Sequence, residues 1–214
     1  MTNENYIKNL ENTVKQMLVP LRDLSFNVII KSISGFSVLP FEKEQNIVGL
    51  FEKSFNDAAL EINKNGVEAS RPNEVGNYIE PFIKSALKKA GFIADVPAIN
   101  NGKKKATGYP DIEVVYKEMF FYLEVKTYNI KNINTTQRSF YFSPSENFKI
   151  TKNAPHLLIS YQMEKDKNSL YFAKHWRFYS LENLKVDLKH EFNQNNKKMY
   201  GDESYLDLIL EKEV

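Results

Sequence analysis

Three observations place this 214-residue chain in the α/β class, as one domain with a central mixed β-sheet flanked by helices. Two runs, near 46–62 and 75–90, repeat apolar residues at helical spacing, and residues 111–126 alternate with period two around a short polar break. Further β-branched and aromatic runs follow at 156–163 and 170–179. The length suits one sizeable core, whereas two compact domains would each be small.

Residues 4–18 and 46–62 read as helices, the second through Ile47, Phe51, Phe55, Ala58 and Ile62, and Phe26 to Ile33 reads as a strand. A third helix carries Val75, Ile79, Phe82, Ile83, Ala86 and Ala90 on one stripe, with Asn73 as N-cap and Gly91 as its stop. Pro81 falls inside that pattern. It removes a backbone donor and crowds the carbonyl of Asn77, so a kink or a break is expected there. Later strands are expected at Ser139 to Phe142, His156 to Met163, Leu170 to Tyr179 and Lys185 to Phe192, with Trp176 in the core.

The most informative stretch is Gly108-Tyr109-Pro110-Asp111 followed by Glu124-Val125-Lys126. Residues 111–116 and 119–126 form two strand-like runs, so the chain reverses near Lys117-Glu118. A symmetric reversal makes cross-strand partners sum to 235 in residue number. The turn lacks an Asn-Gly or Asp-Gly signal, but a longer symmetric loop would keep that pairing. One face then carries Ile112, Val114, Tyr116, Met119, Phe121, Leu123 and Val125, all apolar, and burial of that face fixes the register. On the other face Asp111 stands opposite Glu124, with Cβ atoms about 4.5 to 5.5 Å apart, and Lys126 projects beside them.

Two facing carboxylates repel unless a cation lies between them. Mg²⁺ suits these residues, since it favours one or two carboxylates and keeps several waters, and Mn²⁺ could substitute. The backbone carbonyl of Val125 is a further oxygen donor if the sheet does not use it. Such an ion would polarise a scissile phosphate and activate water, with Lys126 orienting that water or neutralising the phosphate. The competing reading is an edge hairpin with a solvated Glu124–Lys126 charge pair.

Pro110-Asp111 and Glu124-Val125-Lys126 resemble the signature of the PD-(D/E)xK nuclease superfamily, and within it the type II restriction endonucleases. The context from about Asn73 to Met163 is also similar to that family's core. The resemblance implies a restriction-endonuclease-like fold in which Asp111 and Glu124 hold Mg²⁺ and Lys126 assists the attacking water. It also implies a further acidic residue on the preceding helix, for which Glu80 is the choice. A Glu80–Lys84 ion pair at helical spacing is the alternative. On this reading residues 1–70 form an N-terminal arm or dimerisation region, 71–180 the catalytic core and 181–214 a C-terminal extension of one nuclease domain.

A net charge of +2 gives no global electrostatic argument for nucleic acid, so local clusters must carry it. Lys103, Lys104 and Lys105, in the polar segment entering the hairpin, are candidates for phosphate contacts. After the catalytic strand, residues 129–139 supply Lys131, Asn132, Asn134, Thr136, Gln137 and Arg138, side chains suited to base edges. A solvated lysine run and a polar connecting loop would have the same compositions.

Several classes are excluded or disfavoured. There is no cysteine for disulfides or thiolate metal sites, and His156, His175 and His190 lack ligand spacing. Gly102-Lys103 is no nucleotide-binding P-loop, because Pro97 stands where that motif needs glycine. No apolar run reaches the roughly 18 residues of a membrane helix, and the first residues do not read as a signal peptide, so a cytoplasmic location without membrane association is expected. The functional expectation is a Mg²⁺-dependent type II restriction endonuclease, a homodimer cutting double-stranded DNA at a short palindromic site and needing no nucleotide cofactor. A junction or repair nuclease on the same hairpin, or a noncatalytic nucleic-acid-binding protein, are the alternatives.

Overall fold

The computed structural model describes residues 3–70, 74–143, 147–190 and 193–201, together with 206, 209, 210 and 212. The chain divides into two compact units, residues 1–24 with 186–214 and residues 25–185. In the smaller unit, helix α1 (Asn3–Met17) is followed by strand β1 (Leu21–Ser25), which pairs with β8 (Lys185–Leu188), and a short helix α5 (Asn196–Tyr200) comes near the end. Phe192, where the last expected strand was to end, lies outside the described residues, as does Asn73, the expected N-cap.

The larger unit contains α2 (Phe26–Ser34), α3 (Gln45–Asn65), β2 (Val67–Glu68), α4 (Val75–Lys89), β3 (Ile93–Asp95), β4 (Ile112–Tyr116), β5 (Met119–Tyr128), β6 (His156–Lys165) and β7 (Leu170–Ser180). Its six strands form one mixed sheet in the order β2-β7-β6-β5-β4-β3. Only β5 and β6 run parallel; the other neighbours are antiparallel. A parallel pair needs a long crossover, and residues 129–155 supply it.

Helices α3 and α4 pack on each other and on one face of this sheet. Phe51 is the centre of that core: its ring lies 4.7 Å from Phe92, 5.0 Å from Phe178 and 5.6 Å from Phe121. Trp176 packs on Phe55 and donates to Asn56 Oδ1 at 2.9 Å, as expected of a core tryptophan with its polar edge satisfied. The α/β expectation, a mixed sheet flanked by helices with a restriction-endonuclease-like core, is what the structure has.

Four local expectations differ. Phe26 to Ser34 is a helix rather than a strand, because Phe26 and Ile30, four residues apart, are the fully buried pair while Val28 is exposed, and Gly35 ends it at φ +79°. Residues 139–142 form no strand. They alternate in exposure, but Phe140 and Phe142 are spent on an aromatic cluster with Phe26 and Tyr109 instead of a ladder. Pro81 does not break α4, which runs unbroken from Val75 to Lys89, since the carbonyl it leaves without a helical donor is that of Asn77 in the first turns. Finally, α3, within the residues 1–70 that the sequence reads as an N-terminal arm or dimerisation region, contributes Ile47, Phe51, Phe55, Ala58 and Ile62 to the core of the larger unit. Among the described residues no helix is long and apolar enough to cross a membrane.

Candidate active site

The hairpin register is the one the alternation predicts. Ile112 pairs with Leu123, Glu113 with Tyr122, Val114 with Phe121, Val115 with Phe120 and Tyr116 with Met119, each pair summing to 235. Lys117, at φ +53°, lets the chain turn in two residues. Ile112, Val114, Phe121, Leu123 and Val125 all enter the main core, with Tyr116 and Met119 packed against it. Continued past Ile112, the same register sets Asp111 against Glu124.

At that corner the sheet's hydrogen bonding changes hands. The N–H of Tyr122 donates to the carbonyl of Pro155 on the β6 side, at 3.0 Å. Residues 123 and 125 therefore direct their backbone groups towards β4. Val125 would meet Pro110 there, which has no N–H, and its own N–H donates to Asp111 Oδ2 at 2.8 Å. Asp111 is thus pinned by the strand it faces, and the Val125 carbonyl has no ladder donor opposite it.

Glu124 is 2% exposed. Its Oε1 accepts from Lys126 Nζ, and its Oε2 is buried with no hydrogen-bond partner among the described residues. Burial, then repulsion from Asp111, holds its carboxyl above the usual carboxylate range, against the opposing pull of Lys126. Burial would lower Lys126, but the charges of Glu124 and Asp111 more than offset this and keep its ammonium protonated. A buried carboxylate oxygen without a partner among the described residues, facing a second carboxylate and next to a carbonyl whose ladder position is taken by a proline, fits a hard divalent cation. Among the described residues no three His, Asp or Glu side chains gather into a metal site of their own, so an ion here would rest on two carboxylates, main-chain oxygen and water.

Glu80, on the face of α4 away from its apolar stripe, belongs to the same electrostatic neighbourhood. Burial and the charge of Asp111 raise its carboxyl to about 7, while Lys84, Lys149 and Lys126 pull the other way. Lys149 was not foreseen. It is 2% exposed, its Nζ lies 3.5 Å from the Ala106 carbonyl, and burial lowers its ammonium against the attraction of Asp111, Glu124 and Glu80. Also buried nearby is Tyr109, next to Pro110-Asp111, whose hydroxyl lies 2.6 Å from His156 Nδ1. Burial pushes His156 down to about 3, so its ring is neutral and shares that hydrogen bond with the Tyr109 hydroxyl. His156 is therefore a structural brace for the loop that carries Asp111.

A cleft of about 690 Å³ opens from this corner, lined by Asp111, Val125 and Lys126 and by part of the segment that follows β5. Asn132, Gln137 and Arg138 line it; Lys131, Asn134 and Thr136 are exposed on the same segment without lining it. The segment is folded on itself: Asn129 Oδ1 accepts from Lys131 N at 2.9 Å and the Thr135 N–H donates to the Asn132 carbonyl at 3.0 Å. The lysine run lies apart from this cleft. Lys104 is ion-paired with Asp95, Lys105 donates to the Asn147 carbonyl at 3.3 Å, and Lys103 is exposed.

Comparison with known proteins identifies the family. Residues 20–203 match the type II restriction enzyme MjaV family. The chain is also 36% identical, over 220 aligned residues covering 94% of it and 95% of the relative, to the type II restriction enzyme MjaV of Methanocaldococcus jannaschii.

Proposed function

Because the chain belongs to the MjaV family of type II restriction enzymes, and so is a site-specific endonuclease acting on DNA, we propose that the Asp111–Glu124–Lys126 corner is its active site. The observation that carries this reading is the buried Glu124 Oε2, without a hydrogen-bond partner among the described residues, behind Asp111 and Lys126, which line an open cleft. The matching pattern is the PD-(D/E)xK one. Asp111, Glu124 and the Val125 carbonyl would hold Mg²⁺, with Mn²⁺ as a substitute, and Glu80 is the further acidic group beside them. When bound, the ion supplies Lewis-acid polarisation of the scissile phosphate and the attacking water.

The chain's own groups do the positioning. The Val125 N–H fixes one oxygen of Asp111, and Glu124 Oε1 holds Lys126 at the rim of the site. Lys126, protonated and short of full burial, orients the incoming water and balances charge on the phosphate in flight. Lys149 adds a second positive charge behind the carboxylates. Asn132, Gln137 and Arg138, on the cleft wall, are the base-reading candidates, while Lys103 to Lys105 would touch backbone further out.

The proposed enzyme acts as a homodimer on a short palindromic duplex, two-fold protein symmetry matching two-fold DNA symmetry. Helix α1 supports a second copy: Ile7, Leu10 and Met17 recur at intervals of three and seven residues and are exposed among the described residues. We place the enzyme in the cytoplasm, where its DNA substrate is. Plasmid DNA incubated with the protein and Mg²⁺ should give discrete fragments with one repeated end sequence, and chelation should stop the reaction. If Asp111→Ala and Lys126→Ala both still cut, the active-site assignment fails.

A further inference from the structure

The active-site reading uses one end of the cleft and leaves its sheet floor unexplained. Lys126 of β5 pairs with Ser160 of β6, and Ser160 pairs with Arg177 of β7. Directly paired residues share a face, so the three form one row across the sheet, and all three line the cleft. With neighbouring strands about 4.8 Å apart, the backbones at Lys126 and Arg177 are about 10 Å apart. The next row is Tyr128, Gln162 and His175.

Arg177 is held without being neutralised. Its guanidinium lies 5.4 Å from the centre of the Tyr128 ring, the Tyr128 hydroxyl lies 3.1 Å from His175 Nδ1, and Tyr179, two residues along the same face, is an electrostatic neighbour of Arg177. An aromatic face and a hydroxyl orient a guanidinium but leave its charge and most of its five donors unspent. Among the described residues no carboxylate pairs with it. Its planar fork suits a phosphate.

We propose that Arg177 is a phosphate-binding residue that holds the DNA backbone at a phosphate neighbouring the one that faces Lys126, with Tyr128 and His175 fixing its orientation. This rests on the assignment of the active site to Asp111, Glu124 and Lys126. The fixed row Lys126–Ser160–Arg177 sets the path of one strand across the sheet: Lys126 meets the reacting phosphate and Arg177 a neighbour on the same strand. Arg177 lies on the sheet floor level with the catalytic lysine, where backbone passes. Base edges are left to Gln137 and Arg138 on the adjoining wall. Its contribution is therefore to affinity and register, independent of sequence.

The test is fluorescence anisotropy with the full chain in metal-free, chelator-containing buffer, so that nothing is cut. The probes are a labelled duplex carrying the site recovered from fragment ends and a scrambled duplex of equal length. Arg177→Gln should weaken both by a similar factor, about fivefold, and lower the slope of log affinity against log salt by about 1. With Mg²⁺ its KM should rise while kcat stays near that of the unaltered enzyme. Arg177→Lys should restore the salt slope, and Tyr128→Phe should weaken binding less and leave the slope unchanged. Unchanged affinity and slope in Arg177→Gln, a loss confined to the cognate duplex, or a fall in kcat at constant KM would each overturn the proposal. Continued cutting by both Asp111→Ala and Lys126→Ala would instead overturn the active-site reading, and the metal-free binding data would stand apart from it.

Discussion

The two faces of the β4–β5 hairpin are made by alternate residues of the same two strands and do opposite things. On one, Ile112, Val114, Phe121, Leu123 and Val125 are 0 to 3% exposed against α3 and α4, and every contact there favours the fold. On the other, Glu124, at 2% exposed, falls in the same range yet has one oxygen without a hydrogen-bond partner among the described residues and a second carboxylate facing it. Burial stabilises the first face and costs stability on the second. The structure tolerates that cost at one corner because the opposite face supplies it, so the two faces should separate cleanly under substitution.

The largest separation is expected from Lys126→Ala and Asp111→Ala. Each should lower the cleavage rate by about 10³-fold or more while leaving the circular dichroism spectrum unchanged. Next comes Phe51→Ala on the core face. Its ring is fully buried among Phe92, Phe121 and Phe178, and its loss should cost about 3 to 5 kcal/mol in denaturant unfolding, with activity falling only as the folded fraction falls. A variant of either kind that moved both readouts equally would blur the division.

A smaller effect should come from Lys149→Met, which removes a buried charge and keeps the volume. Cutting should fall about tenfold, and its acid limb should move to higher pH, because Lys149 helps keep Glu80 ionised. A drop in rate with an unmoved pH profile would make Lys149 a packing residue only.

The metal-free protein offers a weaker but cleaner signature. The carboxyl of Glu80 is raised in the folded state, so its contribution to stability is full below its usual 4.5 and is lost as pH climbs through about 7. Relative to Glu80→Gln, the unaltered protein should therefore lose melting temperature across that window. Adding Mg²⁺ at the top of it should reverse the loss if Glu80 takes part in binding the ion. The smallest effect belongs to Lys103→Ala: exposed and outside the cleft, it should change KM less than twofold at moderate salt, where distant surface charges are screened.

Which of these residues could be foreseen follows from the range of the interactions that place them. The pairing of Tyr116 with Met119 through Ile112 with Leu123 was readable because the period-two pattern has only one register that buries a whole apolar face. Glu80 was reached through the family resemblance; helical spacing showed only that it lies off the apolar stripe of its helix. Phe26 to Ile33 was misread as a strand because β-branched residues in a row look like one, whereas the packing of Phe26 against Tyr109 and His156 selects the helix. The alternation at residues 139–142 was real, but no strand lay beside it to complete a ladder.

The sequence by itself determined the α/β class, the hairpin register and the meeting of Asp111, Glu124 and Lys126, because those depend on local periodicity and on neighbours within fifteen residues. Only the tertiary structure decided the rest. It brought Lys149 to the Ala106 carbonyl, Tyr109 to His156, and Arg177 into the row of Lys126, over separations of 43, 47 and 51 residues. Those meetings depend on a parallel β5–β6 crossover and on the order of strands in the sheet, which no local pattern specifies. A buried lysine between two strands and a half-buried arginine on a third carry no periodic signal of their own, and become neighbours of the site, one behind its carboxylates and one on its cleft, only through the fold.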